Sequence, residues 1–598
     1  MTYLFIMGAL FLGVYIAPAL AVAPRLLRYP QTATLIPLLS VFWVTLSVDA
    51  LSHWGQFQAL PVLSLTVMLY VLALYRVARY CHDATWEHWK QGHFRALFIN
   101  FCIVLPYVIK IGTKAFDTDD EIYSWHYWAL QWFYQLPISF EHTGAPYPQA
   151  FSKLIAYCYQ LLNDVEYQLP VKATLIILPF CMLNAIAFCS KTLEPKRLWG
   201  YFIVCIWCVF VLDWQKYFDY GYAEPLMNAS LVGSVSLVWF AHTQSKISTK
   251  QYSLLMAVCL AMLASWSKQA ALIWGLFSLP CLVLLLRNAE ERWRPYMLLA
   301  MLSCVGSIWW ILGEGSQFTH NGGVIGASMA DRTWWQQLGY ASHQYFILLP
   351  QFTLLFVWGL YASRTNRMLQ GLLFLFVLPS TLLWFLFGAY HLRLGLQIIA
   401  VLSVIIVAAD YPGLQTWLAR YRAKRTWRWP HAVLFLLVIH VSGAVWVYQK
   451  SPVHRFDLPT YPGGRVALAK FFGKDSEKVF ETIYDNPEIT VLLSSNYIRG
   501  LFYTHTQTVW PRYPRNPAAY TEADLLADLR DYRPDYVITS GEMLQGEPMN
   551  HLVEILYQRY PDALSLYNSK PNLHGYRIYR VNPTHFILNA EEVARHAE

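Results

Sequence analysis

The hydrophobic positions of this chain fall in long unbroken runs rather than in alternation with polar ones. Runs of about 17–22 apolar residues recur over roughly the first three quarters, each long enough to cross ~30 Å of hydrocarbon as a helix that satisfies its own backbone. They predict about fourteen spans, near 2–23, 33–51, 58–75, 96–112, 171–190, 198–213, 223–241, 252–267, 269–286, 295–312, 344–362, 368–388, 394–410 and 431–448. The first run ends in ALAVAP (19–24), a small-residue pattern like a cleavage site, but nothing basic precedes it, so an anchor is expected. From about 449 the pattern changes: apolar runs shorten, charge rises and turn residues appear. There ITVLLSS (489–495), PDYVITS (534–540) and HGYRIYRV (574–581) read as strands. TEADLLADLRDY (521–532), opened by a Thr521/Asp524 capping box, and MNHLVEILYQRY (549–560) read as helices. Strand and helix in alternation predict a small α/β layer with Rossmann-like winding as the default, and without a GxGxxG after a strand no nucleotide is assigned to it.

Composition agrees with that division. Of 598 residues, 56% are hydrophobic and 14% charged, which excludes a single soluble domain and predicts an integral membrane protein. Alternate loops carry about twenty Lys and Arg, among them Arg76, Arg79, Lys196, Arg197, Arg292, Arg294, Arg420 and Lys424, and the loops between them carry few. The positive-inside rule therefore puts the amino terminus, the loop of roughly 113–170 and everything after 448 outside the cytoplasm. The net charge of +8 is accounted for by this topology and by anionic lipid, so no nucleic-acid partner is implied. All ten cysteines precede residue 305, so no disulfide framework is expected in the tail. Cys205 and Cys208 lie within an apolar run, where packing is the better reading than a redox or metal pair.

The outward loop holds FDTDDEIYSWHYWALQWF (116–133), with Asp117, Asp119, Asp120 and Glu121 set directly before an aromatic run. From Glu121 to Leu136 the pattern suits a helix lying in the headgroup belt, and Asp119 and Asp120 are good helix caps. Capping accounts for one or two carboxylates; four suit a site that handles hydroxyls, cations or a metal. Tyr147, between two prolines, and Lys153 follow in the same loop. Other outward positions add Asp219, Tyr222 and Glu224 before one span, Lys268 and Gln269 at a hairpin, and His391 and Arg393 at the end of another. Each alone reads as an interface or snorkelling residue. Together they set acids and cations at one membrane face, as expected where a lipid phosphate is held beside a proton acceptor.

Asp119-Asp120-Glu121-x-x-Ser124-Trp125, Tyr147-Pro148, Tyr222-Ala223-Glu224-Pro225, Lys268-Gln269 and Arg393 resemble the motifs of polytopic GT-C glycosyltransferases, in the style of protein O-mannosyltransferases and lipid A aminoarabinose transferases. The resemblance covers roughly 96–448 in layout, with three extra spans before it in 1–95 and a tail of the exported α/β type in 449–598. It implies a GT-C-like polytopic α-helical membrane protein with a C-terminal extracytoplasmic α/β domain, set in a bacterial inner membrane. It also implies transfer of a sugar from a polyprenyl-phosphate donor to a lipid, glycan or protein acceptor. By position Asp120 is the general base, with Asp119 or Glu121 the second choice. Lys268, Arg393 and Lys153 hold the phosphate, with His391 beside Arg393. Tyr147, Tyr222, Glu224, Asp219 and Gln269 are expected to line the substrate pocket. The cluster here reads DTDDE where the family has a lone Asp-Glu, which leaves the base open and lets Asp117 and Asp119 offer oxygens to a divalent cation. Metal-independent relatives favour no cofactor. A carrier or flippase, and a polymerase or ligase of lipid-linked glycans, are the alternative readings.

Overall fold

A computed structural model of the chain describes residues 2–82, 88–111, 115–116, 121–138, 147–190, 222–268, 271, 333–347, 350–387, 395–409, 468, 472–484, 486–494, 506–509, 511, 520–539, 548–568 and 576–582. The chain divides into two compact units. One comprises Met1–Thr113, Pro137–Asn163 and Pro170–Pro452; the other comprises Lys114–Leu136, Asp164–Leu169 and Val453–Glu598.

The first unit is a bundle of apolar helices. Five helices among the described residues are long and apolar enough to cross a membrane: Tyr3–Val22, Ile36–His53, Ala59–Tyr80, Gln168–Ala187 and Ile247–Ser267. The chain is an integral membrane protein. Helices also occupy Gln91–Ile111, Glu224–Thr243, Pro350–Ser363, Leu378–Phe387 and Leu396–Ala408, each on an expected span. The spans expected at 198–213, 295–312 and 431–448 lie outside the described residues, as do Cys205 and Cys208, and of 269–286 only Ala271 is described. Hydroxyls inside the apolar helices turn back onto the carbonyl one turn earlier: Thr45 to Val41 at 2.9 Å, Thr66 to Val62 at 2.8 Å and Ser403 to Ile399 at 2.8 Å. That bond satisfies a polar group where water is excluded.

Close packing needs small residues. Glu224–Thr243 and Ile247–Ser267 form a hairpin joined by three residues. A Cβ added at Gly233 would lie 2.8 Å from Leu260 Cδ1 and 3.0 Å from Leu35 Cδ2, so the glycine is what lets these helices approach. Between Gln91–Ile111 and Ile177–Ala187, Asn100 Nδ2 donates to Asn184 Oδ1 at 2.7 Å, both side chains fully buried. Trp334–Ile347 and Phe352–Ser363 meet at 89°. The first opens on a Thr333/Gln336 capping box and leaves Trp334 and Trp335 exposed, as aromatic side chains at a membrane interface are.

The second unit contains a five-stranded sheet, with β1 at Thr490–Leu493, β2 at Gln507–Val509, β3 at Tyr536–Thr539, β4 at Leu564–Leu566 and β5 at Arg577–Val581. Its order is β2-β1-β3-β5-β4; β2, β1 and β3 run parallel, and β5 is antiparallel to both β3 and β4. The strands expected at 489–495, 534–540 and 574–581 become β1, β3 and β5, and the helices form at Glu522–Tyr532 and Pro548–Arg559 with the Thr521/Asp524 box in place. The sheet differs from simple Rossmann winding because β5 pairs antiparallel with both β3 and β4; the stretch from Leu566 to Arg577 is too short for the crossover that a parallel β4–β5 pair needs. Leu492, Val537 and Tyr579 from the sheet and Leu525, Leu529, Val553 and Leu556 from the helices form its core.

The aromatic run of the long loop belongs to this second unit. A π-helical turn, Glu121–Trp125, leads into the α-helix His126–Phe133. Ser124 to Gln131 are buried, so this helix is packed against protein where the sequence suggested one lying along a lipid surface. The residues that signalled a headgroup belt, Trp125, Tyr127 and Trp128, fill that packing.

Candidate functional site

Within the first unit, three sequence-predicted residues gather where two apolar helices end. Glu224 opens Glu224–Thr243, followed at once by Pro225, whose missing N–H costs nothing in a first helical turn. Lys268 ends Ile247–Ser267 in an extended conformation, its backbone N–H reaching back to Ala264 O at 3.2 Å. Its ammonium forms an ion pair with Glu224 Oε1, and both side chains are buried, Glu224 completely. Asn228 Nδ2 donates to the Glu224 carbonyl at 3.0 Å, and Ser265 Oγ is 3.2 Å from the carbonyl of Ala271 just beyond Lys268. Two charges removed from water cost several kcal/mol each, so the pair persists only because each neutralises the other.

Tyr222, buried two residues before Glu224, lines a recess with Pro225, Ile111, Phe151 and Lys172. The recess holds about 10 Å³, roughly the room of one water. Lys172 is only 1% exposed, and the sequence reading passed over it. Its signal was there: one ammonium inside the apolar stretch Gln168–Ala187 is an intramembrane ionisable group, which marks a functional position by default.

Two other predicted residues of this unit stand elsewhere. Tyr147 is half-buried, its carbonyl accepting from Gln149 Nε2 at 2.9 Å just before the helix Ala150–Leu162. Lys153, one turn into that helix, forms an ion pair with Asp49 near the end of Ile36–His53. The helix is locked further by Tyr157 OH with Thr66 Oγ1 at 2.7 Å and by Gln160 Nε2 to Phe57 O at 3.2 Å.

In the second unit Glu121 is fully buried at the start of the π-helical turn. Asp117, Asp119, Asp120, Asp219, Gln269, His391 and Arg393 lie outside the described residues. Among the described residues no group of three or more His, Cys, Asp or Glu side chains is placed to hold a metal, and the cation expected at Asp117 and Asp119 falls outside them.

The described groups thus comprise a buried carboxylate and ammonium in contact, a second buried ammonium, a tyrosine and, in the other unit, a buried glutamate. Carboxylates accept protons and ammoniums hold anions, and both do so more strongly in apolar surroundings than in water.

No protein-family model matches the chain, and no curated protein does. Among solved structures it is similar to ArnT from Cupriavidus metallidurans in the apo state, at 11% identity and a TM-score of 0.44, over 80% of this chain and 96% of that one. It is also similar to the Archaeoglobus fulgidus oligosaccharyltransferase in complex with zinc and sulfate, at 11% identity and a TM-score of 0.38, over 79% of this chain and 72% of that one.

Proposed function

We propose that the chain is a membrane glycosyltransferase that moves a sugar from a polyprenyl-phosphate donor to an acceptor hydroxyl on the extracytoplasmic face of a bacterial inner membrane. The observation that carries the reading is the buried Glu224–Lys268 pair beside Tyr222. Ionisable groups kept inside an apolar bundle are costly, and these three stand in the segments that resemble GT-C motifs. A loop acid, Asp120 first and Asp119 or Glu121 after it, takes the proton of the acceptor hydroxyl as its oxygen bonds to the anomeric carbon. The bond from that carbon to the phosphate oxygen breaks, and polyprenyl phosphate leaves with the electron pair. Single displacement inverts the sugar carbon. Positioned general-base catalysis contributes about 10²–10⁴-fold, and Arg393, with Lys268 and Lys153 once they exchange Glu224 and Asp49 for the phosphate, offsets the charge on the leaving group. Lys172 joins them as a further buried cation. The acceptor is a lipid, a glycan or a protein, and the chemistry takes no cofactor.

The test is release of polyprenyl phosphate when purified protein in nanodiscs meets a panel of radiolabelled polyprenyl-phosphate sugars. Wild type is expected to release it, and Asp120→Asn to lose at least 100-fold while keeping its unfolding temperature. Full activity in that variant removes Asp120 as the base, and no release by wild type from any donor removes the reading. Products extended by more than one unit would identify a polymerase.

A carrier is the second reading, favoured by the turn at Leu175–Ile176 that interrupts Gln168–Ala187 beside buried Lys172, because carriers build their sites at broken helices. Counterflow of a labelled lipid-linked sugar across liposomes without chemical turnover would support it.

A further inference from the structure

We propose that one end of the helical bundle is a binding site for the headgroup of an anionic phospholipid, formed by Arg25, Arg28, Arg76, Arg79, Lys246 and Lys250. Three stretches of chain meet there. Pro24–Arg28, a turn of 3₁₀ helix that follows the span Tyr3–Val22, carries Arg25 and Arg28. The last two turns of Ala59–His82 carry Arg76 and Arg79. Lys246 stands directly before Ile247–Ser267, and Lys250 lies in its first turn. All six side chains are exposed, yet the backbone beneath them is fastened. The Arg28 guanidinium lies 5.6 Å from the centre of the Tyr29 ring, and the Tyr29 hydroxyl is 3.4 Å from Thr249 Oγ1, next to Lys250. The same ring packs 5.4 Å from that of Phe240 in Glu224–Thr243. Arg76 Nη1 donates to Val22 O at 3.2 Å, which holds the end of Ala59–His82 against the end of the first span. Trp89 Nε1 donates to Leu27 O at 3.0 Å and fastens the turn that bears Arg25 and Arg28.

Like charges gathered in this way repel, and an anion is what relieves them. Among the described residues no carboxylate pairs with any of the six. Asp49, the one described carboxylate of residues 2–111, stands at the far end of Ile36–His53 with Lys153, and Asp83 and Glu87 lie outside the described residues. Guanidiniums grip a phosphate with paired hydrogen bonds, and lysines add point charges to it. The surface next to the cations says which phosphate. Val71, Leu74 and Tyr75, one to two turns before Arg76 and Arg79 on the same helix, are exposed, and so is Val22, whose carbonyl Arg76 holds. A free phosphate gains nothing from apolar surface, whereas a phospholipid lays its acyl chains along it with the headgroup among the cations. The end concerned is the one that the positive-inside rule assigns to the cytoplasm. That rule asks only for an excess of Lys and Arg, but here the cations of three segments are fixed around one aromatic ring.

The experiment counts bound lipid by native mass spectrometry while dioleoylphosphatidylglycerol is titrated into the full-length protein in neutral detergent. Wild type is expected to bind it about tenfold tighter than dioleoylphosphatidylcholine, or more. Each cation near an anionic headgroup contributes about fivefold in affinity, so the double variant Arg25→Gln, Arg28→Gln is expected to weaken binding about 25-fold. A second pair within the site, Arg79→Gln with Lys250→Gln, should lose as much. Arg364→Gln with Arg367→Gln removes the same charge from exposed positions at another helix junction, and is expected to change affinity less than about twofold. The unfolding temperature without lipid, measured beside each titration, should stay at the wild-type value, so that lost binding is read apart from lost fold. Equal losses inside and outside the site overturn the inference, since the lipid would then answer only to total charge. Equal binding of the two lipids overturns it too. So does full displacement of the lipid by inorganic phosphate at equal concentration, which would make the ligand a free anion.

Discussion

The two units carry ion pairs in opposite settings. In the helical unit Lys268 meets Glu224 with both side chains almost without solvent. In the sheet-bearing unit Arg577 meets Glu554 and Arg559 meets Glu522, with the arginines about half exposed. The chemistry is nearly the same, but in the first setting water cannot replace a lost partner, and in the second it does so at once. A buried pair is thus a strong constraint even when its formation adds little net stability, and an exposed one is a weak constraint however good its geometry.

The largest test of that contrast removes one partner of the buried pair. Lys268→Ala is expected to destabilise the helical unit by about 3–5 kcal/mol, the cost of a stranded buried charge, read as thermal unfolding in detergent. Adding Glu224→Gln to Lys268→Ala should recover much of that loss, because no ion is then left without its counter-charge. A double variant no more stable than Lys268→Ala would break the comparison.

A second test strains the same unit by shape alone. Gly233→Leu forces side-chain atoms into Leu260 and Leu35 and is expected to cost about 1–3 kcal/mol. Gly233→Ala should fall well below it in the same assay, as the Leu260 and Leu35 side chains shift to admit one methyl group.

The smallest effect belongs to the exposed pairs. Arg577→Ala should change the stability of the sheet-bearing unit by only about 0.2–1 kcal/mol, and less at high salt, read by denaturant unfolding.

Acid sharpens the contrast within that unit. Burial pushes the Glu554 carboxyl up, but hydrogen bonds from Tyr579 and Arg577 with the arginine charge outweigh it and hold it below its ordinary value. The Thr521 hydroxyl and backbone N–H hold Asp524 down likewise. Both folded values are depressed, so their contribution is present above the ordinary carboxylate range and is lost as pH falls from about 4 through the lower folded values. Unfolding followed from pH 6 to pH 2.5 should show that loss, and Glu554→Gln should flatten it. In the opposite direction burial holds the Tyr579 hydroxyl up at about 12, so it stays a donor to Glu554 across the neutral range.

What the sequence revealed and what it hid follow from range. Apolar runs and capping boxes are local signals, so the helix at Ile36–His53 and the Thr521 cap could be read directly. Partners are not local: Lys153 and Asp49 are 104 positions apart, and Lys268 and Glu224 are 44 apart, so Lys153, Lys268 and Glu224 could be singled out but not paired. β2 and β4, three residues each, are too short to show alternation, and pairing with longer neighbours forms them. The aromatic run after Glu121 was ambiguous for another reason. Tryptophan and tyrosine fill a protein core as readily as they line a lipid surface, and only the fold decides between them.

The amide bridge from Asn100 to Asn184 has a consequence for motion. Rotating either helix about its axis by one residue, about 100°, would carry one amide away from the other and break that buried bond. The two helices are therefore geared together, and any rocking that admits a large lipid into the bundle must move them as a single lever.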